Sequence, residues 1–136
     1  MQDNLKNIKQ SLKALVYKAY RVHLIMEVEE FKTRWKEVEN SLTDSFGNKP
    51  DLNKILLLIG IRELGQVKKK FSKEEKVNLM HIAVCKLLSQ SGYYELEGVD
   101  QDGWPHWKLV KTPPFISMLE QETYLRHHII EYFDGL

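Results

Sequence analysis

The chain has 136 residues, 43% of them hydrophobic, which is enough for a packed core in one domain of ordinary size. Twenty basic residues stand against nineteen acidic ones, for a formal net charge of +1, and this excludes a global electrostatic pull towards nucleic acid or an anionic membrane. The single cysteine, Cys85, excludes an internal disulfide and a multi-cysteine zinc site.

In chain order, Lys6, Lys9 and Lys13 interrupt any apolar signal core at the N-terminus. The longest apolar run, residues 55–59, is far too short to span a bilayer. The expectation is a cytoplasmic protein with no membrane segment.

The first forty-odd residues contain no glycine or proline before Gly47. Leu5, Ile8, Leu12, Leu15, Ala19, Val22 and Met26 alternate three and four steps, one helical stripe. A second stripe, Leu24, Val28, Phe31, Trp35, Val38 and Leu42, has the same period in a shifted phase. The shift falls at residues 21–28 and predicts a bend, a change of packing partner or, last in rank, a strand near Tyr20–Val28. A continuous helix over residues 3–44 is about 60 Å long. A compact domain of this size has a radius of gyration of about 14 Å. Residues 1–45 therefore either break or pack against a second chain.

Charge changes sign at the same place. Residues 1–26 hold Lys6, Lys9, Lys13, Lys18 and Arg21 against Asp3, a net of +4. Residues 27–45 hold three cations against six acids, a net of −3. Opposite signs favour the two segments lying side by side, within one chain or between two. Exposed ion pairs add only a few tenths of a kcal/mol each, so charge guides the pairing and does not drive it.

Residues 51–136 read as a helical core with a β-hairpin at 93–110, the whole chain being one domain. Asp51 caps a helix ending at Gly65. That helix is apolar around nearly its whole circumference, which makes it central. Gly60 within it predicts close approach of a neighbouring helix. A linker with Lys68, Lys69 and Lys70 follows. Ser72 with Glu75 forms a capping box for a helix over 73–91, with Val77, Met80, Val84, Leu87 and Leu88 inward. Cys85 on this helix reads as a buried, inert thiol. Tyr94 and Leu96 alternate with glutamates, and Trp107 and Leu109 with His106 and Lys108, around a turn-rich Gly98–Gly103. Thr112-Pro113-Pro114 then opens a last helix carrying Phe115, Met118, Leu119, Leu125, Ile129, Tyr132 and Phe133. The fold class is mainly α: a bundle of four to five helices with one β-hairpin between the last two.

Within residues 72–110, the join Leu87-Leu88-Ser89-Gln90-Ser91-Gly92-Tyr93-Tyr94 resembles that between recognition helix and wing in winged-helix domains. The resemblance implies a major-groove helix at 73–91 and a hairpin touching phosphates. The charges oppose it, because the stretch holds four lysines against six acids. Phosphate neutralisation supplies most non-specific DNA affinity, so nucleic acid is not the expected partner.

Asp100-Gln101-Asp102-Gly103-Trp104-Pro105-His106-Trp107 is the most unusual stretch. As a calcium loop it lacks the first ligand and the bidentate acid. Strand alternation places Trp104 and His106 opposite Trp107 and Leu109. With Trp107 and Leu109 facing the core, Tyr93, Asp100, Asp102, Trp104 and His106 are the expected partner-binding patch. His127, His128 and Glu131 on the last helix are weak metal candidates, two ligands at most without help from elsewhere. An exposed helix face explains them more simply. No phosphate-cradling glycine loop or catalytic triad context is present. The sequence thus predicts a non-catalytic protein–protein interaction or assembly protein, homo-oligomeric through its N-terminal helical region, with no cofactor. The alternatives are a winged-helix-like nucleic-acid-binding protein and a small metal-dependent enzyme.

Overall fold

The computed structural model describes residues 2–66, 70–114 and 117–136. In chain order it contains α1 (Gln2–Phe46), α2 (Leu52–Leu64), α3 (Lys73–Ser89), β1 (Tyr94–Val99), β2 (Pro105–Leu109) and α4 (Met118–Asp134). The protein is mainly helical, with one antiparallel hairpin between the last two helices, as the sequence predicts. No helix among the described residues is long and apolar enough to cross a membrane. The chain divides into two compact units, Met1–Glu37 and Val38–Leu136.

The first unit is helix throughout its described length. α1 runs unbroken through residues 21–28, so neither a break nor a strand occurs there. The physical reason is local. The stretch has no glycine or proline, and a phase shift in apolar spacing moves the sticky face without costing a backbone hydrogen bond. At 100° per residue, Leu15, Ala19, Val22 and Met26 share one side of α1, whereas Tyr17, Tyr20, Leu24 and Val28 share the opposite side. Both sides are open: Leu15 is 63% exposed and Tyr17 62%. Arg21 lies over the Tyr17 ring, 5.9 Å from its centroid.

The second unit is organised around α2 and α3. α1 ends at Gly47 in a left-handed conformation, its N–H bonded to the Thr43 carbonyl at 2.8 Å. Asp51 caps α2 by accepting from the Lys54 N–H at 2.8 Å. Ile55, Leu56, Ile59 and Leu64 of α2 are buried. A Cβ at Gly60 runs into the Leu79 carbonyl of α3, so the two backbones are close enough to require glycine. The capping box of α3 is complete: the Ser72 N–H donates to Glu75 Oε1 at 3.0 Å, and the Glu75 N–H to Ser72 Oγ at 3.1 Å.

Three expectations about packing need correction. The buried line of α3 runs through Leu79, Ile82, Ala83, Cys85, Leu87 and Leu88, whereas Val77 is exposed. The close contact at Gly60 sets this phase by turning Leu79 onto α2. Leu109 is half-exposed although Trp107 beside it is partly buried. A two-stranded hairpin covers too little area to bury a whole face. α4 begins at Met118, not at the prolines: Ser117 caps it, its Oγ accepting from the Glu120 N–H at 3.2 Å. Met118 and Leu119 are therefore exposed first-turn residues, and the buried ones are Leu125, His128, Ile129, Ile130 and Tyr132. Phe115, Lys68 and Lys69 lie outside the described residues.

Polar ties join these elements. The Tyr132 hydroxyl of α4 donates to Glu63 Oε2 of α2 at 2.7 Å. Lys86 Nζ of α3 lies 3.7 Å from the other oxygen of Glu63. Burial, and then the Glu63 carboxylate, push the Tyr132 hydroxyl pKa well up, so it remains a donor at all ordinary pH.

Candidate functional site

The hairpin tip is built by Asp100. Its Oδ1 accepts from the N–H groups of Asp102 at 2.9 Å and Trp104 at 3.0 Å. Its Oδ2 meets His106 Nε2 at 2.8 Å. The Asp100 N–H donates to the Trp104 carbonyl at 2.9 Å, and Gly103, left-handed at φ 86°, turns the chain between them. The His106 contact, followed by the backbone N–H of Trp104, holds the Asp100 carboxyl below the ordinary carboxylate range. Gln66, just after α2, donates to the Asp102 carbonyl at 2.6 Å and ties the tip to the helical body.

Trp104 completes that tie. Its ring is half-buried against the cluster of Leu64, Phe71 and Leu79. The expectation of a solvent-facing Trp104 is therefore corrected: Trp104 precedes β2, and the turn swings it onto the core instead of leaving it in strand alternation. Tyr93 is corrected likewise. It is 8% exposed, and its hydroxyl accepts from the Tyr124 hydroxyl at 3.2 Å. Lys111 Nζ sits 4.7 Å from the centre of its ring. Asp102 and His106 are exposed as expected. The structure thus brings Asp100, Asp102, Trp104 and His106 together at one tip and places Tyr93 in a different aromatic group.

Between the tip and α3 lies a cleft of about 310 Å³, lined by Asn78, His81 and Ile82 of α3 and by Asp100, Trp104, Pro105, His106 and Trp107 of the hairpin. The Trp107 indole N–H is buried and has no hydrogen-bond partner among the described residues. His81 adds an imidazole to the cleft that sequence reasoning missed, because its partners across the cleft are some twenty residues away. His81 Nε2 also lies 3.5 Å from the Cys85 sulfur. Burial pushes the Cys85 thiol up to about 11, so this pair supplies no thiolate nucleophile at neutral pH.

The α4 histidines divide into two environments. His128 is 5% exposed, which corrects the expectation of a solvated face. Its Nδ1 is 2.8 Å from the Tyr124 carbonyl, and its Nε2 is 2.7 Å from Ser91 Oγ. A carbonyl only accepts, so Nδ1 carries the proton and neither nitrogen is open to a metal. The ring stacks obliquely on Tyr124, with centroids 4.5 Å apart. His128 is a fastening between α4 and the end of α3. His127 and Glu131 are exposed. Partial desolvation, then the neighbouring His128, lower the His127 pKa, while Glu131 opposes the shift. Among the described residues, no group of three or more His, Cys, Asp or Glu side chains is placed to hold a metal ion.

The remaining feature with functional content is the surface of α1. Leu5, Ile8, Leu12, Leu15, Val22 and Met26 are between 55 and 65% exposed. On the same helix, Leu12, Lys13, Val16, Tyr17 and Tyr20 line a shallow groove of about 450 Å³. No protein-family description, curated protein or solved structure matches this chain.

Proposed function

We propose that the protein is a non-catalytic assembly or interaction protein that self-associates through α1. The observation that carries this reading is the stripe of Leu5, Ile8, Leu12, Leu15, Val22 and Met26 along one side of α1, each more than half exposed. Single exposed apolar residues are ordinary on protein surfaces, but a contiguous stripe about 32 Å long is not. Leaving each such side chain in water forgoes about 1.5–3 kcal/mol of burial. The chemistry of the other candidates supports the same reading. The hairpin tip is consumed by hydrogen bonds that build the turn, the cysteine is protonated, and the buried histidine has both nitrogens engaged.

The test is sedimentation equilibrium over a wide concentration range on the intact chain and on a Leu12→Lys, Leu15→Lys double variant. The wild-type protein is expected to associate. The variant is expected to raise the dissociation constant by about a hundredfold or more, since losing even half of the burial at two sites per copy exceeds 2.7 kcal/mol. A wild-type protein that stays monomeric at the highest concentrations reached ends the proposal.

A further inference from the structure

We infer that α1 takes a neighbouring copy on each of two sides, so that the protein assembles as three or more chains; this rests on the self-association proposed above and extends it from one side of the helix to two. The feature behind it is the segment 15–28 of α1. Leu15, Val22 and Met26 there belong to the apolar stripe already described. At about 100° per residue, Val16 and Tyr20 carry the apolar surface round from that stripe to Leu24, Tyr17 and Val28 on the opposite side. Val16 is 69% exposed, Tyr17 62%, Tyr20 59% and Leu24 40%. From Val22 to Val28 this arc covers about 240° of the circumference. Lys18 and Arg21 lie in the remaining sector, together with Ile25. Two polar side chains fall inside the arc, His23 and Glu27. They meet each other, Nε2 to Oε1, at 3.0 Å, so each enters an interface with a partner already in place.

The width of the arc sets the number of neighbours. A helix that packs on one surface needs an apolar stripe about 100° wide, and a helix that is apolar nearly all round is found where other elements surround it. An arc of about 240° is room for two neighbours and too much for one. Interface size leads to the same count. A single neighbour along residues 5–26 engages about half of that stretch, about eleven residues per chain, whereas a stable interface uses roughly 20–30 on each side. A second neighbour on the side of Tyr17 and Leu24 brings the total per chain towards that range. Copies of this chain supply both neighbours. A dimer closed through the stripe leaves Tyr17, Tyr20 and Leu24 of both copies in water, so it presents an apolar surface twice and adds copies until the set closes. The sector of Lys18 and Arg21 then faces solvent, as the polar side of a bundle helix does.

Sedimentation equilibrium on the full chain tests this with two double variants. The wild-type protein is expected to reach at least three times its chain mass of 16.1 kDa. A Tyr17→Lys, Leu24→Lys variant keeps the stripe from Leu5 to Met26 intact and is expected to fall to twice the chain mass or below. A Ser11→Lys, Ala14→Lys variant adds the same charge beside Lys18, outside the arc, and is expected to keep the wild-type mass. A wild-type mass of three copies or more, lowered by the first variant and kept by the second, supports the inference. A wild-type protein that levels off at two copies overturns it, leaves self-association standing and leaves the side of Tyr17 and Leu24 to a partner of another kind. Wild-type mass in the Tyr17→Lys, Leu24→Lys variant also overturns it, as does an equal loss in the Ser11→Lys, Ala14→Lys variant, which makes added charge the cause. A wild-type chain that stays at 16.1 kDa at every concentration overturns the proposed function as well.

Discussion

Residues 2–37 and residues 38–136 are built from similar material and treated differently by the fold. In the second unit, Ile55, Ile59, Leu79, Leu87 and Ile129 are at most 1% exposed apart from Leu88 beside them at 2%. Every helix start there has a side-chain cap, at Asp51, Ser72 and Ser117. In the first unit, Leu5, Leu12, Leu15, Val16, Tyr17, Tyr20 and Val22 are more than half exposed along one uninterrupted helix. Backbone hydrogen bonding and residue propensity suffice to write a helix, whereas only a second surface completes a core. The contrast implies that stability in the second unit is set by contacts inside the chain. Under the proposed self-association, in the first it is set by contacts with another copy.

The contrast breaks most visibly at Gly60. A methyl group there meets the Leu79 carbonyl, which belongs to the backbone and cannot rotate away. Ala is about 1 kcal/mol better than Gly in an exposed helix, so a neutral surface position gains by the change. Here the two helices must move apart along their tightest contact. Gly60→Ala is expected to destabilise the second unit by about 3 kcal/mol net, the upper part of the usual cost of overpacking. Urea unfolding followed by tryptophan fluorescence measures this. A neutral or stabilising result shows that α2 and α3 are not in backbone contact at Leu79.

How much of this was legible in the sequence follows the range of the interaction. Asp51, Ser72 with Glu75, and Gly65 act within one turn of themselves, and each was read correctly from a few letters. Gly60 was legible because its cost in a helix needs a compensating contact, although its partner was not. The inward face of α3 was misread because Val77 and Leu79 both fit a helical period, and the choice between them is made by α2. Trp104 and Tyr93 were misassigned to an exposed patch because strand alternation says nothing about a residue in the turn, or one just before the strand. The tie between Tyr132 and Glu63 spans sixty-nine positions and leaves no local pattern.

A smaller effect separates the tip's architecture from a merely exposed carboxylate. Asp100 has its pKa held down by His106 and by the N–H groups of Trp104 and Asp102. A depressed native pKa contributes stability that is present above the unfolded value, about 3.9 for aspartate, and is lost as pH falls through the native value. Asp100→Asn removes that contribution, because the amide can still accept from the backbone but cannot ionise or accept from His106 with its nitrogen. The variant is expected to be less stable than wild type at pH 7, with the difference shrinking below pH of about 4 as the wild-type carboxyl protonates. Urea midpoints at a series of pH values check it. A difference that does not change with pH means that the tip does not hold Asp100 as a carboxylate.

The smallest effect expected is the sharpest test of the contrast itself. Leu15 is 63% exposed on α1. Leu→Ala costs about 2–5 kcal/mol at a buried site, where a cavity remains. At Leu15 no cavity forms within the single chain, and Ala is the better helix former. Measured below the concentration at which copies associate, Leu15→Ala should leave the unfolding midpoint within about 0.5 kcal/mol of wild type, as for a surface substitution. Measured well above it, the same variant should be the less stable of the two, because burial then occurs between copies and the association term grows with concentration. The sign therefore depends on protein concentration alone. A core leucine such as Leu79 shows a loss at every concentration, and if Leu15 does the same, its side chain is sheltered by its own chain and the division between the two units fails.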